Sequence, residues 1–195
     1  MGTSPYIKTL FTINELAWNL YNSNSRNVPK KNMNPIEIGK LLKNLKQGNV
    51  EFILIGGFAM AFHGFPRATG DIDLWIKNTP ENMLRLREAL ISTGFPEAKA
   101  LRSTTQLVPG MSIFNLLESD FKIDLLHNLK LFKEKDFDNC YDKADEGEYN
   151  GVTIKVLNAA DLLKEKTSAN RDKDGQDISY LKKMLLKIKN KKKDQ

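Results

Sequence analysis

Cysteine is nearly missing from this chain: Cys140 is the one thiol among 195 residues. A single thiol can form neither an internal disulfide nor a thiolate metal site, and a reducing cytosol is its natural setting. Long apolar runs are missing as well. No stretch approaches the roughly 20 residues that span a bilayer, and the polar N-terminus lacks a secretory pattern. The expectation is a cytoplasmic protein without membrane contact. Histidine is sparse, and both His63 and His127 are assigned to local packing or hydrogen bonding rather than to catalysis.

What is present is ordinary for a soluble globular protein: 41% apolar and 28% charged residues. The length suits one domain with a substantial core, or one domain with a small helical appendage. The net charge of +6 is unevenly placed, since residues 181–195 hold seven lysines. Such a tail either meets RNA or another polyanion, or is a solvated helix end whose lysines complement the helix dipole.

Periodicity organises the rest. Residues 12–21 have helical spacing, and an asparagine-rich loop follows over 22–34. Pro35 sits where a helix can begin, with Ile38, Leu41, Leu42 and Leu45 as its apolar stripe. A short buried strand is expected over 51–55, a short helix over 58–63, and a second strand over 71–76. Thr79-Pro80-Glu81 opens a helix that Gly94 closes. Residues 104–108, 111–117 and 121–126, separated by a Pro-Gly turn and a polar turn, are expected to supply two or three antiparallel strands. A helix over 131–143, a strand over 152–156, a helix capped by Asn158 and a final helix carrying Ile178, Leu181, Leu185 and Ile188 complete the chain. The division expected is 1–34, helix and loop; 35–157, an α/β core; and 158–195, a helical extension ending in the lysine-rich tail.

Chemistry concentrates in Gly56 to Asp73. Side chains two apart on a strand share a face, so Asp71 and Asp73 project together while Ile72 and Leu74 point into the core. Paired carboxylates repel unless a cation lies between them, and magnesium favours oxygen ligands. Asp124, in Phe-Lys-Ile-Asp-Leu-Leu, adds a third carboxylate if its strand lies beside the Asp71 strand. Three such groups can hold two metal ions about 4 Å apart for in-line displacement at phosphorus. The carboxylate nearest the nucleophile can also take the proton of an attacking hydroxyl. Gly56-Gly57 ends an apolar strand and opens a helix, where backbone N–H groups can face an anion without a Cβ in the way. Arg67 neutralises a phosphate or pairs with a neighbouring aspartate. Downstream, Lys166, Arg171 and Lys173 are placed to reach triphosphate oxygens, with Asp174 and Asp177 orienting them or capping the last helix.

Together, Gly56-Gly57-x-Ala59, His63-Gly64, Arg67-x-Thr69-x-Asp71-Ile72-Asp73-Leu74 and Asp124 resemble the DNA polymerase beta-like nucleotidyltransferase superfamily. With Lys166-x-x-Ala169-x-Arg171-x-Lys173-Asp174-x-x-Asp177 they look like its small bacterial branch, which contains the AbiEii and MenT-type toxins. The resemblance covers about residues 36–190. It implies the α/β (α+β) nucleotidyltransferase fold, a mixed β-sheet flanked by helices, with a helical C-terminal extension. It implies Mg2+ or Mn2+ on Asp71, Asp73 and Asp124, and transfer of a nucleoside monophosphate from an NTP such as ATP to an acceptor hydroxyl with release of pyrophosphate. Gly56, Gly57, Arg67, Thr69, Lys166, Arg171 and Lys173 would contact the nucleotide. The acceptor would be RNA (a tRNA end, for instance), a protein or a small molecule. An antitoxin protein is the implied partner if the chain is the toxin half of a pair. An inactive module that only binds a nucleotide or partner is the alternative. One departure stands out: where many superfamily members carry Ser after the first Gly, Gly57-Phe58 offers the phosphates no hydroxyl.

Overall fold

The computed structural model describes residues 35–65, 69, 71–115, 122–149 and 151–191. The expected helix at 12–21, the asparagine-rich stretch, Arg67 and the last four residues lie outside the described residues.

Helix α1 is Pro35–Gln47, and its whole expected stripe, Ile38, Leu41, Leu42 and Leu45, is buried. Strand β1 is Phe52–Leu54, and helix α2 is Gly56–Phe62. Strand β2, Asp71–Ile76, buries Ile72, Leu74, Trp75 and Ile76. Helix α3, Pro80–Thr93, begins at Thr79, whose hydroxyl accepts the Asn82 N–H, and ends at Gly94 with φ 120°. Asn82 is fully buried because its side chain completes backbone bonding elsewhere. It accepts from Glu51 N and donates to the Glu51 and Lys77 carbonyls, which ties α3 to the end of the β1–β2 pair where β1 starts and β2 finishes.

Strand β3 is Ile113–Asn115 and β4 is Lys122–Leu126. After the short helix α4, Phe137–Asp142, the hairpin of β5, Asp145–Tyr149, and β6, Val152–Val156, leads to α5, Ala159–Ala169, and α6, Gly175–Lys191. The six strands form one sheet in the order β3-β4-β2-β1-β6-β5. Pairing is antiparallel for β1–β2, β3–β4 and β5–β6, and parallel for β1–β6 and β2–β4. The sheet is therefore mixed and flanked by helices, the α/β architecture expected.

Three local expectations are corrected. Residues 104–108 form no strand: Leu107 is bonded through both its N–H and its C=O to His127, which holds it beside the end of β4 rather than in a ladder. The helix expected from Leu131 starts later. The Lys133 N–H donates to Asp136 and the Glu134 N–H to Asn128, so a 3-10 turn at Glu134–Asp136 leads into α4. Strand β5 was not anticipated. Its Asp-Glu-Gly-Glu-Tyr sequence has weak strand propensity, and pairing with β6 decides it.

Trp75 anchors the centre. It is fully buried, stacks on Phe132, meets Phe137 edge-on and donates its indole N–H to the His127 carbonyl at 2.8 Å. Trp75→Phe strands that carbonyl, so urea unfolding is expected to show a loss of about 1–3 kcal/mol; an unshifted midpoint would refute the anchoring role.

Candidate active site

A cleft of about 920 Å3 opens over one face of β2 and β4, bounded by the start of α2, the turn at 109–110, the loop after β4 and the α5–α6 junction. The parallel register sets Asp73 directly beside Asp124 and Asp71 beside Lys122. Asp71, Asp73 and Asp124 all line the cleft, so the third carboxylate does lie on the strand next to the first two. Burial and the neighbouring charges of Asp71 and Asp124 push the Asp73 carboxyl up to about 6, with Arg171 and Lys166 acting in the opposite direction. Burial and Asp71 also raise Asp124, against a lowering by the Gly110 N–H.

Asp124 is held from a turn that sequence reasoning noted without connecting to it. Met111 N–H donates to the Val108 carbonyl, and Gly110 takes φ +72°, a Pro-Gly turn in which only the third residue needs the left-handed region. The Gly110 N–H points onto both Asp124 oxygens, at 3.1 and 2.9 Å. In this arrangement no set of three carboxylate, imidazole or thiol groups among the described residues is gathered closely enough to hold one metal ion. The donor chemistry still suits a hard cation, because the cleft's acidic side offers carboxylate oxygens that repel one another.

The glycine pair has a packing reason besides access for phosphates. Gly56 has φ +64°, and a Cβ there would collide with the Asp73 carboxylate. A Cβ on Gly57 would lie 2.6 Å from Thr69 Oγ1 and 2.7 Å from Thr69 Cβ. The space of the superfamily serine side chain is thus filled by Thr69, whose hydroxyl donates to Asp71 Oδ1 at 2.9 Å. A hydroxyl is present beside the glycines after all, supplied from the loop before β2.

The basic wall is organised by buried carboxylates. Lys166, on α5, is 2% exposed, and its Nζ lies 3.0 Å from Asp174 Oδ1 and 2.6 Å from Asp177 Oδ2. Arg171 Nε reaches the other Asp174 oxygen at 2.6 Å. Burial works to raise the Asp174 carboxyl, but bonds from Arg171 and Lys166 hold it below its usual value. Lys166 therefore touches the cleft from within an ion network, while Arg171 and Lys173 line it. Lys130, Lys133 and Glu165 also line it; periodicity gave no signal for them, since their position depends on how the loop after β4 meets α5. His63 is bonded to a distant segment rather than locally, with Nε2 2.8 Å from the Leu157 carbonyl. His127 is fully buried, accepts the Leu107 N–H on Nδ1 and faces Met83 Sδ with Nε2.

Two outcomes follow from this electrostatic arrangement. Lys166→Met leaves Asp174 and Asp177 buried without their shared ammonium and is expected to cost about 3–5 kcal/mol in denaturant unfolding; a loss below 1 kcal/mol would contradict the network. A carboxyl raised in the folded state favours folding fully below its unfolded value and loses that contribution as pH rises through the folded one. Asp73 thus disfavours the metal-free fold above about pH 6. Asp73→Asn should raise the metal-free Tm at pH 8, with the gain shrinking toward pH 4; a gain that grows on acidification would overturn the assignment.

Among solved structures, an antigenic nucleotidyltransferase-like protein from Paracoccidioides brasiliensis is similar at 19% identity, over 77% of this chain and 74% of that chain, with a TM-score of 0.48. Comparison with curated proteins gives no match. No helix among the described residues is long and apolar enough to cross a membrane. The family model described as the nucleotidyl transferase AbiEii toxin of type IV toxin–antitoxin systems matches residues 40–179, a span that takes in the glycine pair, both aspartate strands and the Lys166–Asp177 network. The chain belongs to the AbiEii family and is a nucleotidyltransferase.

Proposed function

We propose that this nucleotidyltransferase moves a nucleoside monophosphate from an NTP to an acceptor hydroxyl by a metal-dependent in-line displacement. The observation that carries the reading is the β2–β4 register, which sets Asp73 beside Asp124 with Asp71 on the same side of one cleft. The acceptor oxygen forms its bond to the α-phosphorus as the bond to the pyrophosphate oxygen breaks. The hydroxyl proton passes to Asp124, whose raised proton affinity suits a general base. Asp71, Asp73 and Asp124 would hold Mg2+ or Mn2+. When bound, such an ion supplies positive charge at the reacting phosphate and orients it.

On the nucleotide side, Gly56 and Gly57 let the phosphates approach the floor of the cleft, and Thr69 fixes Asp71. Arg171 and Lys173 meet the triphosphate, with Arg67 a further contact. Lys166 backs them by fixing Asp174, which in turn orients Arg171. The acceptor is RNA, a protein or a small molecule, and the lysines along α6 favour a polyanion such as RNA. The setting is the cytoplasm, where an antitoxin counteracts the protein.

With an α-labelled NTP and magnesium, cell extract is expected to yield a labelled acceptor together with free pyrophosphate. Asp73→Asn should lower the rate by about a thousandfold, several kcal/mol of lost transition-state stabilisation. Labelling that persists in this variant would sink the mechanism.

A further inference from the structure

Among the described residues, five cations line the cleft: Lys130, Lys133, Lys166, Arg171 and Lys173. Lys166 and Arg171 are largely neutralised by Asp174 and Asp177. Lys130 and Lys133 belong to the loop that follows β4, and among the described residues no ion pair joins either of them to a carboxylate. Their loop is nevertheless rigidly built. Glu165 of α5 accepts the N–H groups of Lys130 and Leu131 on its two oxygens, at 2.7 and 2.8 Å. The Leu129 N–H donates to the Phe132 carbonyl at 2.8 Å, closing the loop on itself. Lys133 Nζ bonds the Leu129 and Lys130 carbonyls, both at 2.9 Å. Asn128 and Glu134 bond each other twice at its base.

A loop fixed this way by a carboxylate from the opposite wall holds the Lys133 ammonium in place and leaves only the Lys130 side chain to be ordered on binding. The Lys130 side chain takes no part in the loop's own bonds; its backbone does. It is exposed and bordered by Lys133, so a multiply charged anion is the ligand it fits. The carboxylates of Asp71, Asp73 and Asp124 line the same cleft and repel such an anion. Its charged tail is therefore drawn toward the cations that carboxylates do not neutralise.

We infer that the 128–133 loop, through Lys130 and Lys133, binds the terminal phosphates of the nucleoside triphosphate and the pyrophosphate that leaves. This rests on the nucleotidyl-transfer reading and adds to it a binding element outside the two sequence motifs. Titration calorimetry with inorganic tripolyphosphate and with a non-hydrolysable NTP tests it on the full chain. Lys130→Met is expected to weaken both by about tenfold, as for one charge-assisted hydrogen bond, and Lys130→Glu by more. Lys130→Arg should bind close to wild type. Unchanged affinity in Lys130→Glu would overturn the inference and leave nucleotidyl transfer standing. A wild-type protein that binds neither ligand would overturn both.

Discussion

Two like charges set side by side on neighbouring parallel strands are the constraint around which this molecule is arranged. The β2–β4 register places Asp73 against Asp124, with Asp71 close by on the same face. Burial alone would penalise such carboxylates, and their mutual repulsion adds to the penalty. The fold answers with nearby donors and cations: Thr69 on Asp71, Gly110 on Asp124, and the field of Arg171 and Lys166 on Asp73. None of these removes the excess negative charge, which is the physical opening for a hard cation.

The same constraint accounts for features that look unrelated along the chain. Gly56 is fixed because the Asp73 carboxylate occupies the space of a Cβ, and Gly57 because Thr69 does. On the opposite wall, Lys166 is buried against two aspartates instead of standing free. Its energetic role is then largely internal: it keeps Asp174 ionised, and Asp174 holds the Arg171 fork. Breaking the network costs more than the network itself contributes, since the buried partners are left without compensation.

Much of the fold was legible because local signals agreed with the tertiary outcome. The α1 stripe, the strand at 71–76, the Thr79 and Asn158 caps and the Gly94 stop all appear where spacing and capping chemistry place them. The failures have physical causes. Residues 104–108 are expected as a strand, but Leu107 is held by His127; the helix expected from Leu131 is delayed because the N–H groups of Leu131, Lys133 and Glu134 are captured by Glu165, Asp136 and Asn128. Strand β5 exists through its partner rather than its own propensity. At the site, the aspartates and glycines were visible as motifs, but the hydroxyl that replaces the missing serine was not, because Thr69 lies twelve residues from Gly57 and the two meet only after folding.

By itself, the sequence determined the two-residue spacing that sends Asp71 and Asp73 to one face, the glycine pair that ends a strand and opens a helix, and the family pattern that these residues share. Those follow from backbone periodicity and steric limits, which act over a few residues. Only the tertiary structure decided that Asp124 lies beside Asp73, that Thr69 fills the space above Gly57, that Lys166 is committed to Asp174 and Asp177, and that Lys130 and Lys133 face the cleft. Each of those is a meeting of distant segments, set by strand register, burial and charge pairing, which no local pattern encodes.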